Sequence, residues 1–243
     1  MNTNYKKLTA VITGAGGGIG RATAARLAAE GIKVILLGGN KENKLAESAA
    51  IIKNAGGECE FFPGNLTDSV WLDRTVDNIV KNSDVDILIN NAGIAMNASF
   101  SEVTEKQFDD IMNVNVRVPF FLTQKMLPFL KKSSYATVIN VASVVSHAGY
   151  PLQSAYAASK HALLGFTKSL AAEVYKDGVR VHAISPGGVY TDMVKLTRPD
   201  LSEDGMILPE DIADIICFLI SHRNNAVIDE ILVHRSGKQP FLI

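Results

Sequence analysis

The segment Leu-Thr-Ala-Val-Ile-Thr-Gly-Ala-Gly-Gly-Gly-Ile-Gly, residues 8–20, decides how the rest of the chain is interpreted. Its first six residues form a strand-length apolar run, and a helical pattern begins directly after the glycines. A glycine-rich turn between a strand and a helix lets a pyrophosphate reach backbone amides and a helix N-terminus. The spacing is Thr-Gly-x-x-x-Gly-x-Gly rather than Gly-x-Gly-x-x-Gly. A plain glycine-rich turn without a ligand is the alternative.

Strand-like runs and helical patterns alternate along the rest of the chain. We predict strands at Leu8–Thr13, Lys33–Leu37, Glu58–Phe62, Asp86–Asn90, Ala136–Ala142, Val179–Ser185 and Glu230–His234. We predict helices at Ile19–Glu30, Lys41–Ala55, Ser69–Asn82, Thr104–Leu130, Ser154–Lys176 and Pro209–Ser221. This alternation predicts one α/β domain over residues 1–243. We expect this domain to contain a mostly parallel sheet of about seven strands with helices on both faces.

The composition of the chain limits the partners and ligands that we expect it to bind. The 243 residues are 47% hydrophobic and 20% charged with a net charge of −1, so neither nucleic acid nor a membrane is expected as a partner. Cys59 and Cys217 lie in apolar contexts without a Cys-x-x-Cys motif, which is typical of reduced thiols in a cytoplasmic protein. The five histidines are scattered, so no metal site is expected.

A second segment, residues 143–160, carries polar groups suited to acid–base chemistry. If a helix begins after Pro151, Tyr156 and Lys160 are four residues apart and lie on one face. A free phenol with a pKa of about 10 is a poor acid at neutral pH, and a neighbouring ammonium favours its ionised form. Ser143 follows a predicted strand, where its hydroxyl can hold a carbonyl oxygen. Taken alone, Tyr-x-x-x-Lys is weak evidence, because a solvated pair has the same spacing.

Together, these motifs resemble those of the short-chain dehydrogenase/reductase family in order and spacing, and most of all its 3-oxoacyl reductases. The matching residues are Thr13-Gly14-x-x-x-Gly18-x-Gly20, Asn90-Asn91-Ala92-Gly93, Asn115, Ser143, Tyr156-x-x-x-Lys160 and Pro186-Gly187. The resemblance is close over residues 8–191. It implies a Rossmann-type, doubly wound parallel sheet and an NAD(H) or NADP(H) cofactor. It also implies hydride transfer between the nicotinamide and a carbonyl or alcohol carbon.

The resemblance also implies four catalytic residues. Tyr156 would be the general acid in reduction and the general base in oxidation, while Ser143 orients the substrate oxygen. Lys160 would bond the nicotinamide ribose and lower the pKa of the tyrosine. Asn115 would hold a water that connects the lysine to solvent.

The helical pattern around Asn115 agrees with a buried position. Phe108, Ile111, Met112 and Asn115 fall at i, i+3, i+4 and i+7, which predicts that the asparagine lies on an apolar inner face. A helix-packing asparagine bonded to backbone is the alternative. A capped strand end is likewise the alternative for residues 90–93.

The cofactor would be held by residues from several turns. By resemblance they are Gly14, Gly16, Gly18, Ile19, Gly20, Asn40, Lys41, Asn65, Leu66, Asn91, Ala92, Gly93, Tyr156, Lys160, Pro186, Gly187, Val189 and Thr191. An acidic residue after the second strand would favour NAD, whereas an arginine there would receive the 2′-phosphate of NADP. Gly38-Gly39-Asn40-Lys41 offers neither. The missing acid slightly favours NADP, which Asn40 or Lys41 could reach.

The substrate is expected to be a small or acyl-linked carbonyl compound, bound between residues 94–100, 144–153 and 188–204. A 3-oxoacyl-(acyl-carrier-protein) reductase is one specific alternative, which is weakened because Val233–Gly237 lacks the Asp-Gly-Gly common in those enzymes. A non-catalytic dinucleotide-binding sensor is the other. Residues 192–208 suit a short lid or an ordinary loop.

Small residues follow one face of the predicted helix Ser154–Lys176. They are Ala155, Ala158, Ala162, Gly165, Ser169 and Ala172. Such a stripe permits another backbone to approach closely, which predicts a homodimer or homotetramer. Packing of the stripe against the chain's own sheet is the alternative.

Overall fold

The structure is a computed structural model that describes residues 8–39, 42–197 and 202–239. The strands are β1 (Thr9–Thr13), β2 (Lys33–Leu37), β3 (Cys59–Phe62), β4 (Ile87–Asn90), β5 (Thr137–Val141), β6 (Arg180–Pro186) and β7 (Glu230–Val233). The α-helices are α1 (Gly18–Ala29), α2 (Glu42–Asn54), α3 (Ser69–Asn82), α4 (Glu105–Met112), α5 (Val118–Leu130), α6 (Ser154–Val174), α7 (Asp192–Thr197) and α8 (Pro209–Ser221). Strand bounds differ from the predicted ones by at most one residue at each end.

The seven strands form one sheet in the order β3-β2-β1-β4-β5-β6-β7, and every neighbouring pair is parallel. This confirms the predicted sheet. The chain runs outward from β1 to β3 and then crosses to the other side of β1 to form β4. This reversal leaves a crevice at the carboxyl ends of β1 and β4, where ligands bind in sheets of this kind.

Alternate residues of the strands contribute to two separate cores. Ala10 and Ile12 of β1 pack with residues of α1, α2 and α8, whereas Val11 packs with residues of α3, α5 and α6. Helices therefore cover both faces, as predicted. All five residues of β1 are buried, so this strand does not alternate between buried and exposed positions, as is typical of a parallel strand covered on both faces.

The predicted helix Thr104–Leu130 contains an irregularity that the pattern did not predict. Asn113–Arg117 form a π-helical turn between α4 and α5. The turn places Asn115 differently from a regular 3.6-residue period. Phe108 is 42% exposed, while Ile111 and Asn115 are buried, so the prediction that Phe108 shares the inner face is wrong.

The predicted lid or loop at residues 192–208 begins with a helix, α7. Backbone hydrogen bonds join the two ends of this segment. Tyr190 N donates to Ile207 O at 2.8 Å, and Ile207 N donates to Gly188 O at 3.2 Å. In the described ranges, none of the helices combines the length and hydropathy needed to cross a bilayer.

Candidate active site

The turns after β1, β4, β5 and β6 enclose a cavity of about 470 Å³, within the size range of small-molecule sites. The predicted residues that line it are Gly14, Gly18, Ile19, Asn65, Leu66, Asn91, Ala92, Gly93, Ser143, Tyr156, Lys160, Pro186, Gly187, Val189 and Thr191. Gly16 and Gly20 belong to the same glycine-rich turn but do not line the cavity. Asn40 and Lys41 lie outside the described residues.

Further lining residues were not assigned from the sequence. They are Gly17, Gly39, Gly64, Thr67, Val114, Val141 and Ala142. Most of them are direct neighbours of predicted residues, so the motifs located the turns but not every residue exposed in them. Ile94, Asp192, Met193 and Val194 also line the cavity, within the predicted substrate walls.

The glycine-rich turn forms an open cradle at the start of α1. A Cβ atom on Gly20 would lie 2.4 Å from Gly14 O, so only glycine fits there. Gly17 caps α1, with no side-chain hydrogen bond to the helix and no acidic residue in its first turn. The first-turn amides are therefore not engaged by a capping side chain and can donate to an anionic ligand. This arrangement fits a pyrophosphate.

Hydrogen bonds join this turn to the turn that follows β4. The Thr13 hydroxyl accepts from Asn91 N and Ala92 N, both at 3.0 Å. The Asn91 side-chain amide donates to Thr13 O at 2.9 Å and to Gly14 O at 3.2 Å. Asn91 thus connects two strand ends rather than merely capping its own strand. Thr13, which the sequence analysis treated only as part of the motif, is the other half of this connection.

Ser143 and Tyr156 meet at the carboxyl end of β5. Ser143 lies two residues after the end of β5 and caps a 3₁₀ turn, Val144–Ser146, while Tyr156 lies in the first turn of α6. Burial raises the pKa of Tyr156, and a hydrogen bond with the Ser143 side chain lowers it in part. The Ser143 hydroxyl and the Tyr156 phenol therefore lie close together in the lining of the cavity.

Lys160 is buried one turn after Tyr156, as the spacing predicts. Its Nζ donates to Val141 O at 2.8 Å and lies 5.8 Å from the centroid of the Tyr156 ring. Burial lowers the pKa of Lys160 to about 8. Burial of Tyr156 dominates and raises the pKa of the phenol, and the lowering of that pKa by Lys160 stays a prediction.

Asn115 lies in the π turn, close to Lys160. Its side-chain amide donates to Ile94 O at 2.9 Å and to Ser159 Oγ at 3.0 Å, and its Oδ1 accepts from Ile94 N at 2.8 Å. A Cβ atom on Gly93 would lie 3.3 Å from Asn115 Oδ1 and 3.6 Å from Lys160 Nζ. Asn115 is therefore a packed, backbone-bonded asparagine that also lies next to the lysine.

The buried lysine makes stability depend on pH. Its folded pKa of about 8 lies below the unfolded value of 10.5, so between these values the unfolded chain binds more protons. The free energy of unfolding should therefore rise with pH in this window. Between pH 7.5 and 9.5 we expect Lys160 to contribute a rise of roughly 2 kcal/mol. Urea unfolding without nucleotide measures it as the difference between the wild type and Lys160→Met.

The control for this prediction is Lys168→Met, which removes an exposed lysine from the same helix. Lys168→Met should show the same pH dependence as the wild type. A Lys160→Met protein whose stability follows the wild type at every pH would contradict the burial of a lysine with a lowered pKa.

Comparison with known proteins identifies the family. The profile described as short chain dehydrogenase matches residues 8–202. The chain belongs to the short-chain dehydrogenase family. This dehydrogenase is an NAD(P)-dependent oxidoreductase that acts on CH–OH and C=O groups, and it takes a nicotinamide cofactor.

The relatives have different substrates in their names. This dehydrogenase is 34% identical to a 3-oxoacyl-(acyl-carrier-protein) reductase of Thermotoga maritima over 91% of this chain and 94% of that protein. It is 32% identical to a 2-dehydro-3-deoxy-D-gluconate 5-dehydrogenase of Bacillus subtilis over 96% and 95%. A metagenomic short-chain oxidoreductase in complex with NADP has the same fold. Its TM-score is 0.82, at 28% identity over 95% of this chain and 98% of that one.

Proposed function

We propose that this dehydrogenase reduces a carbonyl compound with Tyr156 as the proton donor, and that it catalyses the reverse oxidation with the same residue as base. The observation that carries the proposal is that Ser143, Tyr156 and Lys160 all line one cavity, with the Ser143 side chain close enough to the phenol to lower its pKa. The glycine cradle at the opposite wall fits the pyrophosphate of a dinucleotide.

In reduction, the hydroxyls of Ser143 and Tyr156 both donate hydrogen bonds to the substrate oxygen. The hydride comes from the bound nicotinamide cofactor. As negative charge develops on the substrate oxygen, Tyr156 transfers its proton to it and the product leaves as an alcohol. The resulting phenolate is stabilised by the charged form of Lys160, whose Nζ lies 5.8 Å from the ring centroid. At that separation a unit charge contributes about 3 kcal/mol at an effective dielectric constant of about 20.

Asn115 is proposed to act on this chemistry indirectly, through Lys160. It holds the Ile94 backbone on one side and Ser159 on the other, and both it and Lys160 approach Gly93. A water held beside the lysine could connect Lys160 to solvent and return a proton to Tyr156. The support for this role is proximity, together with the family resemblance.

The remaining predicted residues are proposed to hold the cofactor. The turn of Gly14, Gly16, Gly18, Ile19 and Gly20 would receive the pyrophosphate. Asn65 and Leu66 would contact the adenine, and Asn91, Ala92 and Gly93 would form the floor of the site. Pro186, Gly187, Val189 and Thr191 would contact the nicotinamide end, where Lys160 would bond the ribose.

We propose NADP(H) as the preferred cofactor. Among the described lining residues the only carboxylate is Asp192, which pairs with Lys44 at 2.7 Å, so none remains at the end of β2 to repel a 2′-phosphate. We expect kcat/KM to be higher with NADPH than with NADH, and Lys41→Met to reduce the NADPH value alone by about tenfold. Steady-state kinetics with both cofactors test this.

The control is Lys53→Met, which removes a cation from the last turn of α2. Lys53→Met should leave kcat/KM unchanged with both NADPH and NADH. A clear preference of the wild type for NADH would overturn the assignment.

The substrate is proposed to be a small or acyl-linked carbonyl compound. Ile94, Val189, Met193 and Val194 give the cavity apolar walls, and Lys160 and Asp192 are the charged residues among its described lining. Reduction of 3-oxoacyl-(acyl-carrier-protein) is a specific alternative, supported by the Thermotoga maritima relative. The Bacillus subtilis relative supports a sugar acid instead.

A screen of ketones, acyl thioesters and sugars against NADPH and NADH oxidation separates these substrates. It also separates an enzyme from a dinucleotide-binding sensor. We expect turnover with at least one class of carbonyl compound. A sensor would bind the nucleotide and turn over none of them.

We further propose that this dehydrogenase is a cytoplasmic homodimer or homotetramer. Four residues of the small-residue stripe are exposed: Ala158, Gly165, Ser169 and Ala172. Their exposure argues against the alternative, in which the stripe packs against the chain's own sheet. The two cysteines are free thiols, as suits the cytoplasm. Light scattering at micromolar concentration tests the assembly, and a monomer would overturn it.

A further inference from the structure

A hydrogen-bonded cluster lies next to the active site without lining the described cavity. His147 Nε2 lies 2.6 Å from Glu230 Oε1, and Ser185 Oγ donates to the same oxygen at 2.6 Å. A carboxylate can only accept, so the imidazole donates from Nε2. The side chains of His147 and Glu230 are 21% and 18% exposed, and Ser185 is fully buried. We call these three residues the His147 cluster.

The His147 cluster is attached to Ser143 through one short turn. Ser146 N donates to Ser143 O at 2.8 Å, and His147 N donates to Val144 O at 3.0 Å. The turn therefore begins at the proposed catalytic serine and ends at the histidine. A displacement of His147 would therefore also move Ser143, which lies four residues earlier in the chain.

The other end of the cluster is attached to β6 and β7. Ser185 and Pro186 are the last two residues of β6, and Ser143 Oγ lies 3.4 Å from Pro186 O. Glu230 is the first residue of β7, at the edge of the sheet. The turn from Ser143 to His147 is thus held at both ends. Ser143 lies against Pro186, and His147 is bonded to Glu230, which also bonds Ser185. Glu230 is the single group that bonds both His147 and Ser185.

We propose that His147 and Glu230 are positioning residues that hold the turn beginning at Ser143 so that its hydroxyl stays directed at Tyr156 and the substrate oxygen. This inference rests on the proposed role of Ser143 and Tyr156. Hydrogen bonds to a carboxylate are shorter and stronger than neutral ones, which suits a fixed position. A serine displaced by about 1 Å loses its orientation, which can reduce the rate of a catalysed step by about 100-fold.

The central test compares Glu230→Ala with Glu230→Gln. Glutamine keeps an oxygen that accepts from Ser185 and His147, whereas alanine removes it. We expect Glu230→Ala to reduce kcat by about 10-fold to 100-fold with little change in the Kd for NADPH. Glu230→Gln should stay within about threefold of the wild type. His147→Leu, which leaves the Ser185–Glu230 bond in place, should reduce kcat as well and serves if Glu230→Ala does not fold.

Asp86→Ala is the matched control for loss of a buried carboxylate. Asp86 accepts from Thr9 N at 2.8 Å and from the Ser133 hydroxyl, and it lies directly before β4, at the opposite end of the strands. Its removal should lower the thermal midpoint without changing kcat for the folded protein. Wild-type kcat in both Glu230→Ala and His147→Leu, or an equal loss in Asp86→Ala, would overturn the proposal.

A second readout needs no turnover. The Ser143 hydrogen bond lowers the pKa of Tyr156, so a displaced serine should raise it. Phenolate absorbance, taken as the difference from Tyr156→Phe in the same background, should titrate at higher pH in Glu230→Ala, as in Ser143→Ala. An unchanged Tyr156 titration in Glu230→Ala contradicts the positioning role. If the wild type turns over no carbonyl compound, the proposed function fails while this titration still decides the role of Glu230.

Discussion

Replacing Tyr156 with phenylalanine is expected to reduce kcat for carbonyl reduction by about 10³-fold or more, the range of a lost general acid. The substitution removes only the hydroxyl that donates the proton. The ring still fills its place in the first turn of α6, so the cavity keeps its shape. The Kd for NADPH, measured by its fluorescence, should stay within about twofold of the wild type.

Tyr175→Phe is the control for this variant, because Tyr175 lies just beyond the same helix and is 65% exposed. It should behave like the wild type in both measurements. Unchanged turnover in Tyr156→Phe would remove the phenol from the chemistry. An equal loss of NADPH binding and turnover would assign Tyr156 to binding alone.

Lys160→Met is expected to affect two quantities at once. It removes the charge that stabilises the Tyr156 phenolate, so kcat should fall by about 10²-fold to 10³-fold. It also removes the amine proposed to bond the nicotinamide ribose, so the Kd for NADPH should rise by about tenfold. This combination differs from that of Tyr156→Phe, in which binding is kept.

The exposed Lys168→Met variant again serves as the control and should change neither quantity. A Lys160→Met protein with wild-type affinity for NADPH would contradict the proposed ribose contact. Wild-type kcat would contradict the stabilisation of the phenolate.

Local patterns in the sequence predicted most of this fold. The strands are short, largely apolar runs, and the turns between them carry glycines with a definite spacing, so the bounds of the strands could be predicted to within a residue. The same turns hold nearly all of the proposed site, because the carboxyl ends of parallel strands meet at one edge of the sheet. The order of the strands was not predicted, since no local pattern specifies which strands are neighbours.

Other features depend on contacts between distant residues. The π turn around Asn115 breaks the regular helical period. Phe108 precedes that turn and is exposed, although the spacing placed it on the inner face. Glu230 and His147 are 83 positions apart and show no motif. The direction of the pKa shift of Tyr156 depends on burial, which outweighs the effect of Ser143 and cannot be obtained from the spacing of Tyr156 and Lys160.

The central claim is that a nicotinamide nucleotide and Lys160 together make the phenol of Tyr156 an effective acid and base. The most direct measurement is the titration of Tyr156 with saturating NADP⁺, followed as phenolate absorbance against Tyr156→Phe. We predict that bound NADP⁺ moves this pKa below the ordinary tyrosine value of about 10, and that Lys160→Met abolishes the shift when the nucleotide is again saturating. A Tyr156 pKa that stays above 10 with the nucleotide bound would contradict the account.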